Sequence, residues 1–200
     1  MNKMYLEDYL DNFQYQLTEA GEYSKGFFIR GIVSKAGSVN KNKRYYPESV
    51  MRESVNNIQE LVKRGGFVGE LDHPPTPKVN VGKISHKITK IDMHEDGSVI
   101  AEMDVLDTSQ GRELRKLIEG GVYLGVSTRA LGGVKPKREL GEGVVEVQPG
   151  LSMKAIDVVM DPSAGDAGRP DFVMESVTEG GIYLGYSKNV SSIIEDVFGK

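Results

Sequence analysis

Cysteine and tryptophan are both missing from this chain of 200 residues, and histidine occurs only three times. Without cysteine there are no disulfides, no thiolate zinc or iron–sulfur sites and no thiol nucleophile. No segment approaches the roughly 18 uninterrupted apolar residues of a membrane-crossing helix. The opening segment Met1-Asn2-Lys3-Met4-Tyr5-Leu6-Glu7-Asp8 lacks the apolar centre of a signal peptide. Positive charge is not in excess either: the net charge of −4 argues against general nucleic-acid binding. The expectation is a cytosolic, soluble chain without cofactor, metal or membrane partner.

Glycine, by contrast, is abundant at 24 of 200 residues, against a usual share of about 7%. With 8 prolines, this favours turns and short strands over a helical bundle. Hydrophobic residues at 38% and charged residues at 27% suit one folded domain with appendages.

Leu6, Leu10, Phe13 and Leu17 recur at helical spacing, which predicts an amphipathic helix over 1–19. Strands are predicted at 26–34, 67–71, 81–93, 98–106, 122–130, 143–147 and 152–160, with 131–142 as a loop. Two internal helices, 47–64 and 109–119, each end at a glycine pair. Beyond Asp161 the sequence is rich in turn formers, until Val190, Ile193, Ile194, Val197 and Phe198 mark a last amphipathic helix. The strands lack a βαβ rhythm, so the fold class is α+β, with a mostly antiparallel or barrel-like sheet. The organisation expected is an N-terminal helix (1–19), a body (20–175) and a tail with a helix (176–200).

Nucleophile and base must come from serine, threonine, lysine, carboxylate or histidine. His73, between Asp72 and Pro74-Pro75, has the most constrained setting, because proline limits the backbone around it. His86 and His94 are expected to be solvated. A zinc site built from His73, His86 or His94 with Asp72 or Asp92 matches no compact ligand motif. Ser127 stands in an apolar strand, Tyr123-Leu124-Gly125-Val126-Ser127-Thr128-Arg129-Ala130. It is a candidate nucleophile if a base lies near, and a sheet-bonded structural serine otherwise. It is not a nucleophile elbow, since Arg129 occupies the second glycine position. Asp157, inside Ala155-Ile156-Asp157-Val158-Val159-Met160, needs a partner because a lone acid in an apolar strand is costly. Asp161 reads as a cap and Asp72 as an alternative orienting acid. Lys41/Lys43/Arg44 and Lys135/Lys137/Arg138 form basic segments that read as solvated loops.

Asn42-Lys43-Arg44-Tyr45-Tyr46-Pro47, Gly69-Glu70-Leu71-Asp72-His73-Pro74, Gly125-Val126-Ser127-Thr128-Arg129, Ile156-Asp157-Val158-Val159 and Pro162-Ser163-Ala164 follow in this order. Over roughly residues 25–170 the chain thereby resembles the prohead core protein proteases, or head-maturation proteases, of large contractile-tailed phages. The resemblance implies a fold like that of herpesvirus assemblin, a mostly antiparallel β-barrel surrounded by helices.

The resemblance implies a serine nucleophile at Ser127, its base at His73 and a third member at Asp157. Arg129 would take an oxyanion or substrate-orienting role. The implied substrates are scaffold and major capsid proteins inside the assembling prohead in the host cytoplasm. They would be cut after glutamate with leucine or isoleucine two residues earlier, by a homo-oligomer such as a ring. Leu17-Thr18-Glu19 before Ala20 fits that rule, and Val177-Thr178-Glu179 before Gly180 nearly does, which suggests that self-cleavage removes both end segments. Ile58-Gln59-Glu60, Leu117-Ile118-Glu119 and Leu140-Gly141-Glu142 match as well, the first two inside expected helices. A P1 glutamate needs a cation, for which Arg129 and Lys83 are candidates. The rival reading is a non-catalytic scaffold or assembly protein of the capsid interior.

Overall fold

The computed structural model describes residues 4–10, 15–19, 27–72 and 74–160. Eleven strands and two helices occupy them: β1 (Met4–Leu10), β2 (Tyr15–Glu19), β3 (Phe27–Lys35), β4 (Arg44–Tyr45), α1 (Glu48–Lys63), β5 (Val68–Glu70), β6 (Ile84–Met93), β7 (Ser98–Val105), α2 (Ser109–Glu119), β8 (Gly125–Gly132), β9 (Val134–Pro136), β10 (Val145–Val147) and β11 (Ser152–Val159). The class is α+β, as expected.

The strands form three sheets, ordered β2-β3-β7-β6-β5, β1-β8-β11 and β4-β10-β9. Among the described residues no closed barrel forms. The two larger sheets instead meet where Leu71, just past β5, makes a parallel bridge with Val158 of β11. Gly69 permits that approach, because a Cβ there would lie 1.8 Å from the Ile156 carbonyl oxygen and 2.3 Å from His86 Nε2. No side chain fits in that space.

One apolar core lies between the sheets and the helices, with Ile29, Val33, Val55, Phe67, Ile88, Met103, Leu114, Val126 and Ile156 all buried. α1 packs on β6 and β11, and α2 on β6 and β7. Pro47 stands at the N-cap of α1 rather than as its first helical residue, its carbonyl accepting from Met51 N–H. The Thr108 hydroxyl accepts from Gly111 N–H at the start of α2 and donates to the Ile84 carbonyl at 2.7 Å, so one cap ties helix to sheet.

The N-terminal helix is corrected. Its residues supply β1, antiparallel to β8 from Met4↔Gly132 to Leu10↔Val126, and β2, antiparallel to β3. The 4-3-4 spacing of Leu6, Leu10, Phe13 and Leu17 does fit a helix. The edges of β8 and β3, however, offer cross-strand partners that a short isolated helix lacks, and tertiary pairing overrides local periodicity. Leu6, 1% exposed, enters the core. The segment expected as a loop, 131–142, contains β9, and β4 lies just before α1; two- and three-residue strands carry no periodic signal. The C-terminal helix, with Val190, Ile193, Ile194, Val197 and Phe198, and Asp161 lie outside the described residues.

Candidate active site

Ser127 and Arg129 point to one face of β8 by the two-residue period of a strand. Asp157 of β11 is the direct register partner of Ser127, which places all three on that face. Glu70 joins them from the end of β5. All four side chains are inaccessible to solvent, at 0% exposure. Isolated charges there would be prohibitively costly, so the pairing decides what this face can be.

The Arg129 guanidinium is the hub. Nη2 donates to Asp157 Oδ1 at 2.9 Å and to Glu70 Oε1 at 2.9 Å, and Nε stands 2.6 Å from Asp157 Oδ2. Nη1 donates to the carbonyls of Thr76 and Lys78, both at 3.1 Å. Glu70 N–H donates to Asp157 Oδ1 at 2.9 Å, and Asn80 N–H donates to Glu70 Oε1 at 2.8 Å. Burial alone would lower the Arg129 pKa, but the charges and hydrogen bonds of Asp157 and Glu70 outweigh it and raise it above its ordinary value. The cluster clamps the proline-rich loop after β5 onto this face by its main chain.

Arg129, expected as an oxyanion or substrate ligand, directs Nη1 and Nη2 at two carboxylates and two carbonyls inside the protein. Glu70 was missed. It obeys the rule that singled out Asp157, an acid within a short apolar strand (Phe67-Val68-Gly69-Glu70-Leu71), and that rule would have found it.

Ser127 Oγ is buried and makes no hydrogen bond among the described residues. Thr128, one position on, donates to the Val33 carbonyl at 3.2 Å; the sheet-bonded fate considered for Ser127 belongs to its neighbour. His73 lies outside the described residues. Its neighbour Asp72 donates its N–H to the Val158 carbonyl at 2.9 Å. With φ at 70°, Asp72 occupies the left-handed region that aspartate tolerates better than most residues.

Of the other two histidines, His86 differs from the solvated expectation. His86 is fully buried, with Nε2 2.9 Å from the Ile156 carbonyl and Nδ1 2.9 Å from Ser85 Oγ. A carbonyl only accepts, so Nε2–H donates to Ile156 and Nδ1 accepts from the Ser85 hydroxyl. Burial pushes His86 down to about 4, against the pull of the Ile156 carbonyl and the Asp157 charge. It is a neutral tie between the sheets. His94 Nδ1 lies 3.1 Å from Asp96 Oδ1 beside the β6–β7 turn, eight residues further on, or about 26 Å of extended strand. Among the described residues no three His, Asp or Glu side chains converge as metal ligands would. The basic segments meet in the small sheet, where β4 and β9 flank β10. Lys137 pairs there with Glu146, and its Nζ lies 4.8 Å from the Tyr45 ring centroid.

Residues 14–179 match the family model described as the prohead core protein serine protease. The chain belongs to the prohead core protein serine protease family. It is 35% identical over 159 residues to the prohead core protein protease of Enterobacteria phage T4, spanning 76% of this chain and 73% of that one. The structure of the bacteriophage T4 capsid assembly protease, gp21, superposes with a TM-score of 0.70 at 26% identity, covering 80% of this chain and 99% of that one. The α+β fold is thus that of a prohead protease. No helix among the described residues is long and apolar enough to cross a membrane.

Proposed function

We propose that this chain is a serine endopeptidase of phage prohead maturation, with Ser127 as nucleophile, His73 as base and Asp157 as the orienting acid. The observation that carries the reading is Ser127 Oγ, a buried hydroxyl with no partner among the described residues, directly across from Asp157. The loop that contains His73 is bonded by its main chain to the same cluster. Buried serine hydroxyls are ordinarily hydrogen-bonded, as Thr128 is; Ser54 Oγ in α1 is the other exception among the described residues.

In this reading Ser127 Oγ adds to the scissile carbonyl carbon while its proton passes to His73. The proton then goes to the leaving amine as the C–N bond breaks, and water hydrolyses the acyl-enzyme by the same route. Arg129 and Glu70 are positioning residues that hold the loop and Asp157. Lys83, exposed in the turn before β6, remains the candidate cation for a P1 glutamate. The substrates are scaffold and major capsid proteins in the prohead interior, cut after glutamate with leucine or isoleucine two residues before it. The enzyme acts as a homo-oligomer and trims its own Glu19–Ala20 and Glu179–Gly180 bonds. Glu19 ends β2, while Ala20, Glu179 and Gly180 lie outside the described residues. Two competing matches, Ile58–Glu60 and Leu117–Glu119, are locked in α1 and α2.

The rival, a non-catalytic scaffold protein, draws on the complete enclosure of Ser127. A fluorophosphonate probe separates the two readings. A covalent adduct mapped to Ser127, lost in Ser127→Ala and suppressed in His73→Ala, supports the enzyme. A wild-type chain that never acquires the adduct, even when assembled with its substrates, overturns it.

A further inference from the structure

A peptide carbonyl cannot reach a nucleophile with no exposed surface, so some element beside Ser127 must move before cleavage. On one side of β8 stands β11, fixed by the Leu71–Val158 bridge, by Asp72 N–H on the Val158 carbonyl and by the Arg129–Asp157 pair. On the other side stands β1. Its register sets Tyr9 opposite Ser127 and Glu7 opposite Arg129. β1 is an outer strand of its sheet, and it precedes residue 14, where the match to the protease family begins.

We propose that β1 is an exchangeable covering strand: residues 4–10 occupy the edge of β8 to which an extended peptide substrate adds, and the site opens when they leave. The inference rests on the reading of Ser127 as nucleophile and adds how that site is held closed. An outer strand can be replaced by another extended chain, because the edge supplies the same main-chain donors and acceptors to either. Self-cleavage after Glu19 would release β1 and β2 in one piece, converting a reversible opening into a permanent one.

The absence of native cysteine makes the test clean. Leu6 and Ala130 are register partners on the core face, away from Ser127, and facing residues of an antiparallel pair lie within disulfide reach. In the Leu6→Cys/Ala130→Cys chain, oxidation should slow fluorophosphonate labelling of Ser127 by about tenfold or more, since reactivity follows the open fraction. Reduction should restore the wild-type rate. Equal labelling of oxidised and reduced chains overturns the covering strand and leaves the serine enzyme standing. No labelling of wild type under any condition overturns the enzyme and the cover together. Hydrogen exchange on the unmodified chain gives a second test, independent of how the variant folds. Amides of 4–10 should exchange faster than those of 152–159 across β8, and equal or stronger protection of 4–10 overturns the proposal.

Discussion

Val126 and Ala130 on one face of β8 pack with Ile156 and Val158 of β11 and with Leu6 of β1 in the apolar core. On the reverse face of the same two strands, Ser127, Arg129 and Asp157 meet Glu70 in a polar layer equally closed to solvent. The apolar side is held by contact and volume, and it has no directional requirement beyond Thr128 on the Val33 carbonyl. The polar side is held by directed bonds that fix a loop as well as a sheet. Ser127 Oγ is left out of them, as are Glu70 Oε2 and Arg129 Nε, although Nε stays within ion-pair distance of Asp157. The proposed chemistry is therefore confined to one side of a strand pair that both sides stabilise, and substitutions on the two sides should fail in different ways.

The largest expected effect separates activity from stability. Ser127→Ala should lower peptide cleavage by about 10⁴-fold or more with no loss of thermal stability, and adding His73→Ala should cost little further, because triad members act as a unit. A Ser127→Ala chain that unfolds would instead place Ser127 with the core. Arg129→Met should cost stability as well as activity. It leaves the Glu70 and Asp157 carboxylates buried without their cation, so urea unfolding should show a loss of about 3–5 kcal/mol. A change below about 1 kcal/mol, the scale of an exposed pair, would mean the cluster does not hold the loop.

His86 sharpens the contrast through pH. Its folded-state value of about 4 lies below its ordinary 6.5, so as pH falls the unfolded chain takes up the proton first. The contribution is complete above about pH 6.5, declines towards pH 4 and levels off below, amounting to about 3 kcal/mol at most. Denaturation midpoints from pH 7 to 4 should show this slope, and His86→Gln should flatten it. On the apolar face, Ile156→Val should cost only about 0.5–1.5 kcal/mol and leave turnover per folded molecule unchanged. A marked fall in turnover would show that the two faces are coupled.

Much of this division was legible in the sequence because burial cost is local. An acid among Ala155, Ile156, Val158 and Val159 announces a partner, and a serine beside Arg129 in a strand announces a polar face. Glycine pairs marked the ends of α1 and α2 for the same local reason. What was hidden depends on distant segments. Whether Leu6 belongs to a helix or a strand is decided by the free edge of β8, more than a hundred residues away. The commitment of Arg129 follows from Thr76 and Lys78 arriving over it. His86, between polar neighbours, looked solvated until Gly69 let β11 close on its ring. Short strands such as β4 and β9 are paired through β10, which lies between them.

The most direct measurement is intact mass after parallel incubation of wild-type and Ser127→Ala chains. Wild type should shorten to a species beginning at Ala20, with further loss after Glu179. Ser127→Ala should stay full length until active enzyme is added, and then be trimmed at the same bonds. Trimming of Ser127→Ala at those bonds on its own would contradict the account, because Ser127 would then not be the nucleophile.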